Sequence, residues 1–382
     1  TLEEVIAPLA PYTPEAVRIE AARADYADKR LSVFGSEAKL PEKQAPRHMA
    51  IQINNALHDL FCKYPETLLF GEDVAQKGGV YTVTKGLQKA FKGARVFNTL
   101  LDETMILGLA QGFANLGMLP MPEIQYLAYF HNACDQIRGE ACSLQFFSNG
   151  QYRNPMLMRI ASLGYQRGFG GHFHNDNSIT ALRDIPSLVV GCPSRGDDAV
   201  TMLRSMMALA KVDGRVCAYL EPIALYMTKD LYAAGDGLWQ TLYPEPSETM
   251  EIGAERVYFP EHEDLLIITF GNGVPMSLRA AREIEKTLLW KVRIVDLRWL
   301  QPLNQQAIAR HARECKRIIV ADEGRRSAGV GEGVITAIVE AGQGAKPLRR
   351  VVGADTYTPL AGAAFAVIPA DADIVNAAID LV

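Results

Sequence analysis

From His48 onward, apolar positions follow first a helical and then a strand-like pattern. Residues 48–63 place apolar side chains at helical spacing, Thr67–Gly71 is an apolar run, and residues 72–79 form a polar, glycine-containing loop. That succession predicts a helix, a buried strand and a turn. Residues 156–160 and 188–191 are further short apolar runs bounded by turn residues, residues 102–116 predict a helix opened by two acids, and residues 197–211 have helical periodicity. Strands alternating with helices predict a parallel sheet. Beyond residue 260 the alternation restarts, with strands at 264–270, 292–296, 317–320 and 348–352 separated by helices at 275–287, 304–314 and 330–341.

The segments outside this alternation read differently. Residues 1–45, rich in Pro, Ala and charge, predict an arm with a helical stretch at 14–29 and turns at Gly35 and Pro41. Residues 231–260 carry Gly235, Gly237, Pro244 and Pro246 and read as connecting chain. The expected division is an arm (1–45), a first domain (46–240), a linker (241–260) and a second domain (261–382). The expected fold class is α/β: two doubly wound, three-layer α/β/α domains with mostly parallel sheets behind a short N-terminal arm.

Composition narrows the function. A chain of 382 residues, 48% of them hydrophobic, has enough apolar material for full-sized cores. Its net charge of −5, with acids and bases interspersed, lacks the basic footprint that nucleic acid demands. Apolar runs such as 265–270 are too short to cross a bilayer, and Glu3 and Glu4 do not suit a basic-then-apolar signal. Neither nucleic acid nor a membrane is an expected partner, and the expected location is the bacterial cytoplasm or the mitochondrial matrix. Six scattered cysteines without a C-x-x-C pair read as reduced and mostly buried. A chain starting at Thr1 fits a processed chain or the downstream half of a longer polypeptide.

Generic cofactor signatures fail. Gly271 and Gly273, and Gly329 and Gly331, stand in strand-to-helix loops, but Met276 and Val334 occupy the third glycine position of G-x-G-x-x-G. The chain has no phosphate-binding G-x-x-x-x-G-K-[ST] motif, and Ile160 removes the glycine that a nucleophile elbow at Ser162 needs. Gly235-Asp236-Gly237 is similar to the start of a thiamine-enzyme diphosphate motif, but no apolar strand precedes it and no Asn follows at the motif's distance, so it reads as a loop.

A longer set of segments carries more information. Gly71-Glu72-Asp73-Val74-Ala75, residues 95–112, 123–137 and 174–186, then Val295-Asp296-Leu297-Arg298, Asp322-Glu323-Gly324 with Gly329-Val330-Gly331, and Gly353-Ala354-Asp355 follow one another in the order and spacing of a known family. The chain resembles the beta subunit, or beta half, of the thiamine-diphosphate-dependent pyruvate and branched-chain 2-oxo-acid dehydrogenases over roughly residues 48–380. The resemblance implies that the first domain binds the aminopyrimidine ring of thiamine diphosphate, while the diphosphate and Mg2+ belong mainly to an alpha subunit or alpha half. No metal ligands are expected on this chain.

Site residues follow from the resemblance. Glu103 aligns with the glutamate that hydrogen-bonds the pyrimidine ring nitrogen, a place where a carboxyl group can share a proton with the ring. Taken alone, an acid in the first turn of a helix is commonplace, since the helix dipole favours it. Tyr129 falls where the family sets an aromatic ring against the pyrimidine, with Tyr126 as a rival, and Glu72 and Gln125 belong to the same cofactor-binding set. Asp135 and Gln136 lie on a supporting helix. His174 aligns with the family's loop histidine, with Ile185-Pro186 following at the family's spacing. Here the loop reads His174-Asn175-Asp176-Asn177 instead of the usual His-Ser-Gln-Ser, and His172 stands two residues earlier. Either histidine suits proton transfer to the substrate near neutral pH.

The implied reaction is oxidative decarboxylation of a 2-oxo acid with acyl transfer to a lipoyl group. The implied partners are the alpha portion, a second copy of this chain and a lipoyl acyltransferase. The second domain is expected to serve assembly, its stretch from Leu360 through Phe365 to Ile368 being either core or interface. A transketolase-like or carboligating thiamine enzyme shares this domain pair, and a non-catalytic scaffold subunit is the alternative of another class.

Overall fold

The computed structural model describes residues 1–166 and 168–382. Its first sheet is built from β1 (Thr67–Gly71), β2 (Val96–Asn98), β3 (Leu119–Ile124), β4 (Met156–Ser162), β5 (Val189–Gly191) and β6 (Val216–Pro222). The second contains β7 (Arg256–Tyr258), β8 (Leu265–Thr269), β9 (Val292–Asp296), β11 (Ile318–Arg325) and β12 (Leu348–Gly353), while β10 (Trp299–Gln301) joins the first. The orders are β10-β5-β6-β4-β3-β1-β2 and β12-β11-β8-β9-β7. All pairings are parallel except those of the edge strands β10 with β5 and β7 with β9. Strands such as β1, β4, β6 and β8 are buried along their whole length, as parallel strands covered by helices on both faces must be.

The periodic runs fold as their pattern predicts. Helices Met49–Lys63, Glu103–Asn115, Gly196–Asp213 and Gly273–Leu288 flank the sheets, and Asn304 caps Gln305–Glu314 by accepting from Ala307 N at 3.0 Å. Three expectations change. The helix expected at 14–29 breaks into Pro14–Ala22 and Ala27–Phe34, because Lys63 Nζ binds the carbonyls of Glu20 and Ala21 at 2.5 and 2.8 Å and Arg23 turns extended. The connecting chain is not a loose tether. Thr241 pairs with Arg47, Tyr243 Oη donates to Asp59 at 2.6 Å, and Arg256–Tyr258 becomes an edge strand of the second sheet.

The third change concerns the C-terminus. Residues Ala361–Ile379 are long and apolar enough to cross a membrane, a length the shorter apolar runs did not suggest. They fold instead as a 3-10 segment, Ala361–Ala366, and a separate helix, Asp371–Ile379, parted at Pro369 and pinned by Arg279 Nε to Asp371 at 2.6 Å. Ala364 and Ile368 are buried against Phe169 of the first domain, while Leu360 and Phe365 stay exposed. The stretch is therefore partly an interface within the chain. All six cysteines are free, five buried and Cys134 half-buried.

Candidate active site

The C-terminal ends of adjacent parallel strands bring the first residues together, the usual place for a site in such a sheet. Gly71 of β1 stands opposite Glu123 of β3, so the residues just beyond each strand, Glu72 and then Gln125 and Tyr126, converge. Beside them starts the helix Glu103–Asn115. Asp102 caps it by accepting from Met105 N at 3.1 Å, which makes Glu103 its first residue. Glu103 is only 8% exposed. Its Oε2 lies 3.4 Å from Asn132 Nδ2, and its Oε1 has no hydrogen-bond partner among the described residues. Thr104 Oγ1 donates to Asn132 O at 2.8 Å, so the segment Leu127–Ala133 is tied to the first turn of that helix.

These groups lie close enough to couple electrostatically. The carboxyl of Glu72 is pushed up by burial and by the charges of Asp73 and Glu103, with Gln125 opposing the shift, and its Oε2 is buried without a partner. The Tyr129 hydroxyl is raised by burial, then by Tyr126, Glu72 and Glu103. The ring of Tyr126 meets that of Tyr129 edge-on at 5.6 Å and that of His174 edge-on at 4.7 Å. A Cβ on Gly170 would lie 2.7 Å from His174 Nδ1, so glycine is what lets this ring fold back. His172 is separated from the cluster: it is exposed, and its ring lies tilted against those of Phe173 and of Tyr357 of the second domain. Asp135 and Gln136 lie at the start of a π-helical segment, Gln136–Ala141, joined to the Glu103 helix through Gln111 Nε2 and Gln136 O at 2.8 Å.

Several groups here escaped the sequence reading. The Tyr81 hydroxyl lies 3.1 Å from both Tyr126 Oη and Gln166 Oε1. Beneath them Arg159, 2% exposed, donates to Glu221 at 2.7 and 2.9 Å and to Glu123 at 2.5 Å, and Tyr226 Oη donates to Glu221 at 2.6 Å. Two carboxylates thus share one guanidinium. Burial pushes Glu123 up to about 7, because Arg159, already spoken for by Glu221, only partly offsets it. Glu123, Gln125 and Arg159 line a cavity of about 20 Å³, room for about one water. A lone arginine in the apolar run of β4 was the available signal. Gly235-Asp236-Gly237 is a closed turn: Asp236 accepts from Leu231, Tyr232, Ala233 and Leu238 N.

An aminopyrimidine offers an amine and a protonatable ring nitrogen beside a flat face. Glu103, with an unpartnered oxygen, and the half-buried ring of Tyr129 could hold such a ring, with Glu72 beside them.

Comparison with known proteins places both domains. Residues 46–228 match the transketolase pyrimidine-binding domain and residues 256–373 the transketolase C-terminal domain. The pyruvate dehydrogenase E1 component subunit beta of Staphylococcus aureus is 34% identical over 337 residues, which cover 86% of this chain and 97% of that protein. Its counterpart from Staphylococcus epidermidis is 33% identical over the same lengths. The chain belongs to the pyruvate dehydrogenase E1 beta family. The family depends on thiamine diphosphate, and an E1 beta chain works with an alpha partner in a multimeric assembly. A solved split-gene transketolase, described as an inactive β4 tetramer, shares the fold with a TM-score of 0.68 at 19% identity, covering 88% of this chain and 98% of its own. The N-terminal arm precedes the matched pyrimidine-binding domain.

Proposed function

We propose that this E1 beta chain supplies the pyrimidine side of an active site that decarboxylates a 2-oxo acid oxidatively and passes the acyl group to the lipoyl group of an acyltransferase partner. The observation that carries this reading is Glu103, buried at a helix start with one carboxyl oxygen unpartnered beside Tyr129. Bound thiamine diphosphate supplies the carbon nucleophile for the 2-oxo group. Glu103 holds a proton against the pyrimidine ring nitrogen, and a positioned carboxyl suits that exchange. Tyr129 covers the ring and excludes water, with Tyr126 behind it, while Glu72 and Gln125 complete the polar rim. His174, which touches Tyr126, is assigned proton transfer at the substrate in preference to His172.

The domain division at residues 45, 240 and 260 and a cytoplasmic location are part of the same proposal. So is the position of the alpha partner. Met105 and Leu116 are exposed beside Gly108 and Gly112, whose Cβ positions face open space, in a groove of about 640 Å³ along the Glu103 helix, and Leu100 and Leu101 are exposed just before that helix. Such a patch next to a half-site supports a partner that completes it. The test is a thiamine diphosphate titration with Mg2+ of this chain with and without the alpha portion, followed by turnover of a panel of 2-oxo acids with an artificial acceptor and of a ketose donor. Cofactor binding and 2-oxo acid turnover in the assembly are expected. Turnover of the ketose donor alone would move the chain to transketolase-like chemistry.

A further inference from the structure

An open doubly wound sheet binds ligands in the crevice where neighbouring strands lead off in opposite directions. In the second sheet that crevice lies between β8 and β11, because the chain runs from β8 to β9 on one side and through β11 to β12 on the other. The first domain fills it. A Cβ on Gly271, just beyond β8, would come 2.7 Å from Leu163 Cδ1. Next to Leu163, Gly164 N donates to Glu323 Oε1 of β11 at 3.0 Å, and Asn272 Nδ2 donates to Glu323 Oε2 at 2.7 Å.

From this contact a chain of hydrogen bonds runs to the candidate site. Asn175, 1% exposed, donates to Gly164 O at 2.7 Å and accepts at its own Oδ1 from Gly170 N and Gln166 Nε2, each at 2.9 Å. Gln166 Oε1 meets the Tyr81 hydroxyl, which meets that of Tyr126, and the ring of Tyr126 carries His174. Asn177 Nδ2 returns to Glu323 O at 2.9 Å, so both ends of the loop close on one residue. Glu323 is buried, 6% exposed, and that burial, only partly offset by Asn272 and Gly164, raises its carboxyl to about 7. Burying an acid there is costly, and an apolar side chain would fill the space at less cost. Both of its oxygens are used to orient other elements.

We propose that Glu323, in the C-terminal domain, is the positioning residue that sets the histidine-bearing loop against the tyrosine cluster of the active site. The second domain therefore does more than mediate assembly: it determines where His174 stands. The proposal rests on the reading of Tyr126, Tyr129 and His174 as site residues.

Hydrogen–deuterium exchange of the full chain tests it without cofactor, on amides of residues 163–166 and 168–178. Glu323→Ala strands two buried donors, and exchange there is expected to rise at least tenfold. Glu323→Gln is expected to stay within threefold of the native chain, because its amide oxygen still accepts from Gly164 N and its amide nitrogen can reach the unpartnered Asn272 Oδ1. In the assembled enzyme, Glu323→Ala is expected to lower 2-oxo acid turnover more than tenfold. Proton exchange at the cofactor's thiazolium carbon, the step assigned to Glu103, should stay within twofold, and Glu323→Gln should restore turnover. Unchanged loop exchange in Glu323→Ala, a Gln variant as impaired as the Ala variant, or equal loss of both activities in a folded protein would each overturn the proposal. If Glu323→Ala does not fold, Asn175→Ala cuts the same chain one step nearer the histidines and is judged by the same criteria. Should Glu103→Gln leave carbon exchange intact, the site reading fails, while the loop measurement still judges Glu323.

Discussion

At the end of the first sheet Glu72 keeps a buried oxygen without a partner and Glu103 has an oxygen unpartnered, whereas at the same end of the second sheet both oxygens of Glu323 are bonded and the crevice is filled by Leu163 and Gly164. The acids at the two sheet ends thus differ: those of the first keep an oxygen without a partner, whereas the acid of the second is bonded at both. A carboxyl oxygen without a partner, such as that of Glu103, is free to accept from a ligand, whereas Glu323 has both oxygens already engaged. The difference separates a region built to bind from one built to hold, and it predicts that substitutions in the first region cost chemistry while those at sealed positions cost stability.

The sharpest test is Glu103→Gln. An amide cannot exchange the proton, so hydrogen–deuterium exchange at the cofactor's thiazolium carbon in the assembled enzyme should fall about 10²–10⁴-fold. The urea midpoint of the chain should barely move, since no strong hydrogen bond is lost. A large loss of stability would place Glu103 among the sealed groups and break the comparison.

Arg159→Met tests a sealed position beneath the same cleft. It leaves Glu123 and Glu221 facing each other without a cation, and urea denaturation should show a loss of about 3–5 kcal/mol. Less than about 1 kcal/mol would mean that the two acids are relieved by protonation or water at little cost.

Glu323 gives the comparison a pH signature. Its folded value of about 7 lies above the ordinary carboxyl range, so the folded chain holds this proton more tightly than the unfolded chain does. Its contribution is greatest below the unfolded value and is lost as pH rises through about 7. Stability measured by urea at pH 5 and pH 8 should therefore fall by on the order of 2 kcal/mol more in the native chain than in Glu323→Gln. Parallel curves would remove Glu323 as the source.

The smallest effect belongs to Tyr129. Tyr129→Phe keeps the ring and should bind thiamine diphosphate with nearly native affinity in the assembled enzyme, while Tyr129→Ala should weaken binding roughly tenfold, the scale of one aromatic contact. Calorimetry of both variants checks it. Equal affinities for Phe and Ala would transfer the ring contact to Tyr126.

How much of this was legible before folding depended on the range of the interaction. The strand Val292–Asp296 and the helix after Asn304 were readable because their own residues set the period and the cap. The three-residue strands β7 and β10 were not, since Trp299 finds its partner only at Gly191 of the other domain. Glu103 stood out through its family context, but its burial and its contact with Asn132 did not. Tyr81 and Gln166 gave no signal, and Asn175 showed only as a departure from the family's loop, because they come from separate segments with no shared period.

From the sequence alone came the two runs of strand-helix alternation, the acid at the start of the first domain's helix, the pair of loop histidines and the resemblance that named the cofactor. Tertiary structure decided which histidine meets the tyrosines, how Arg159 is shared between two acids, and that Glu323 reaches across to hold the loop. The reason is physical. Element type is set by side chains a few residues apart along one chain, whereas burial, edge pairing and the saturation of a carboxyl group depend on which distant segments the packed cores bring within 3 Å.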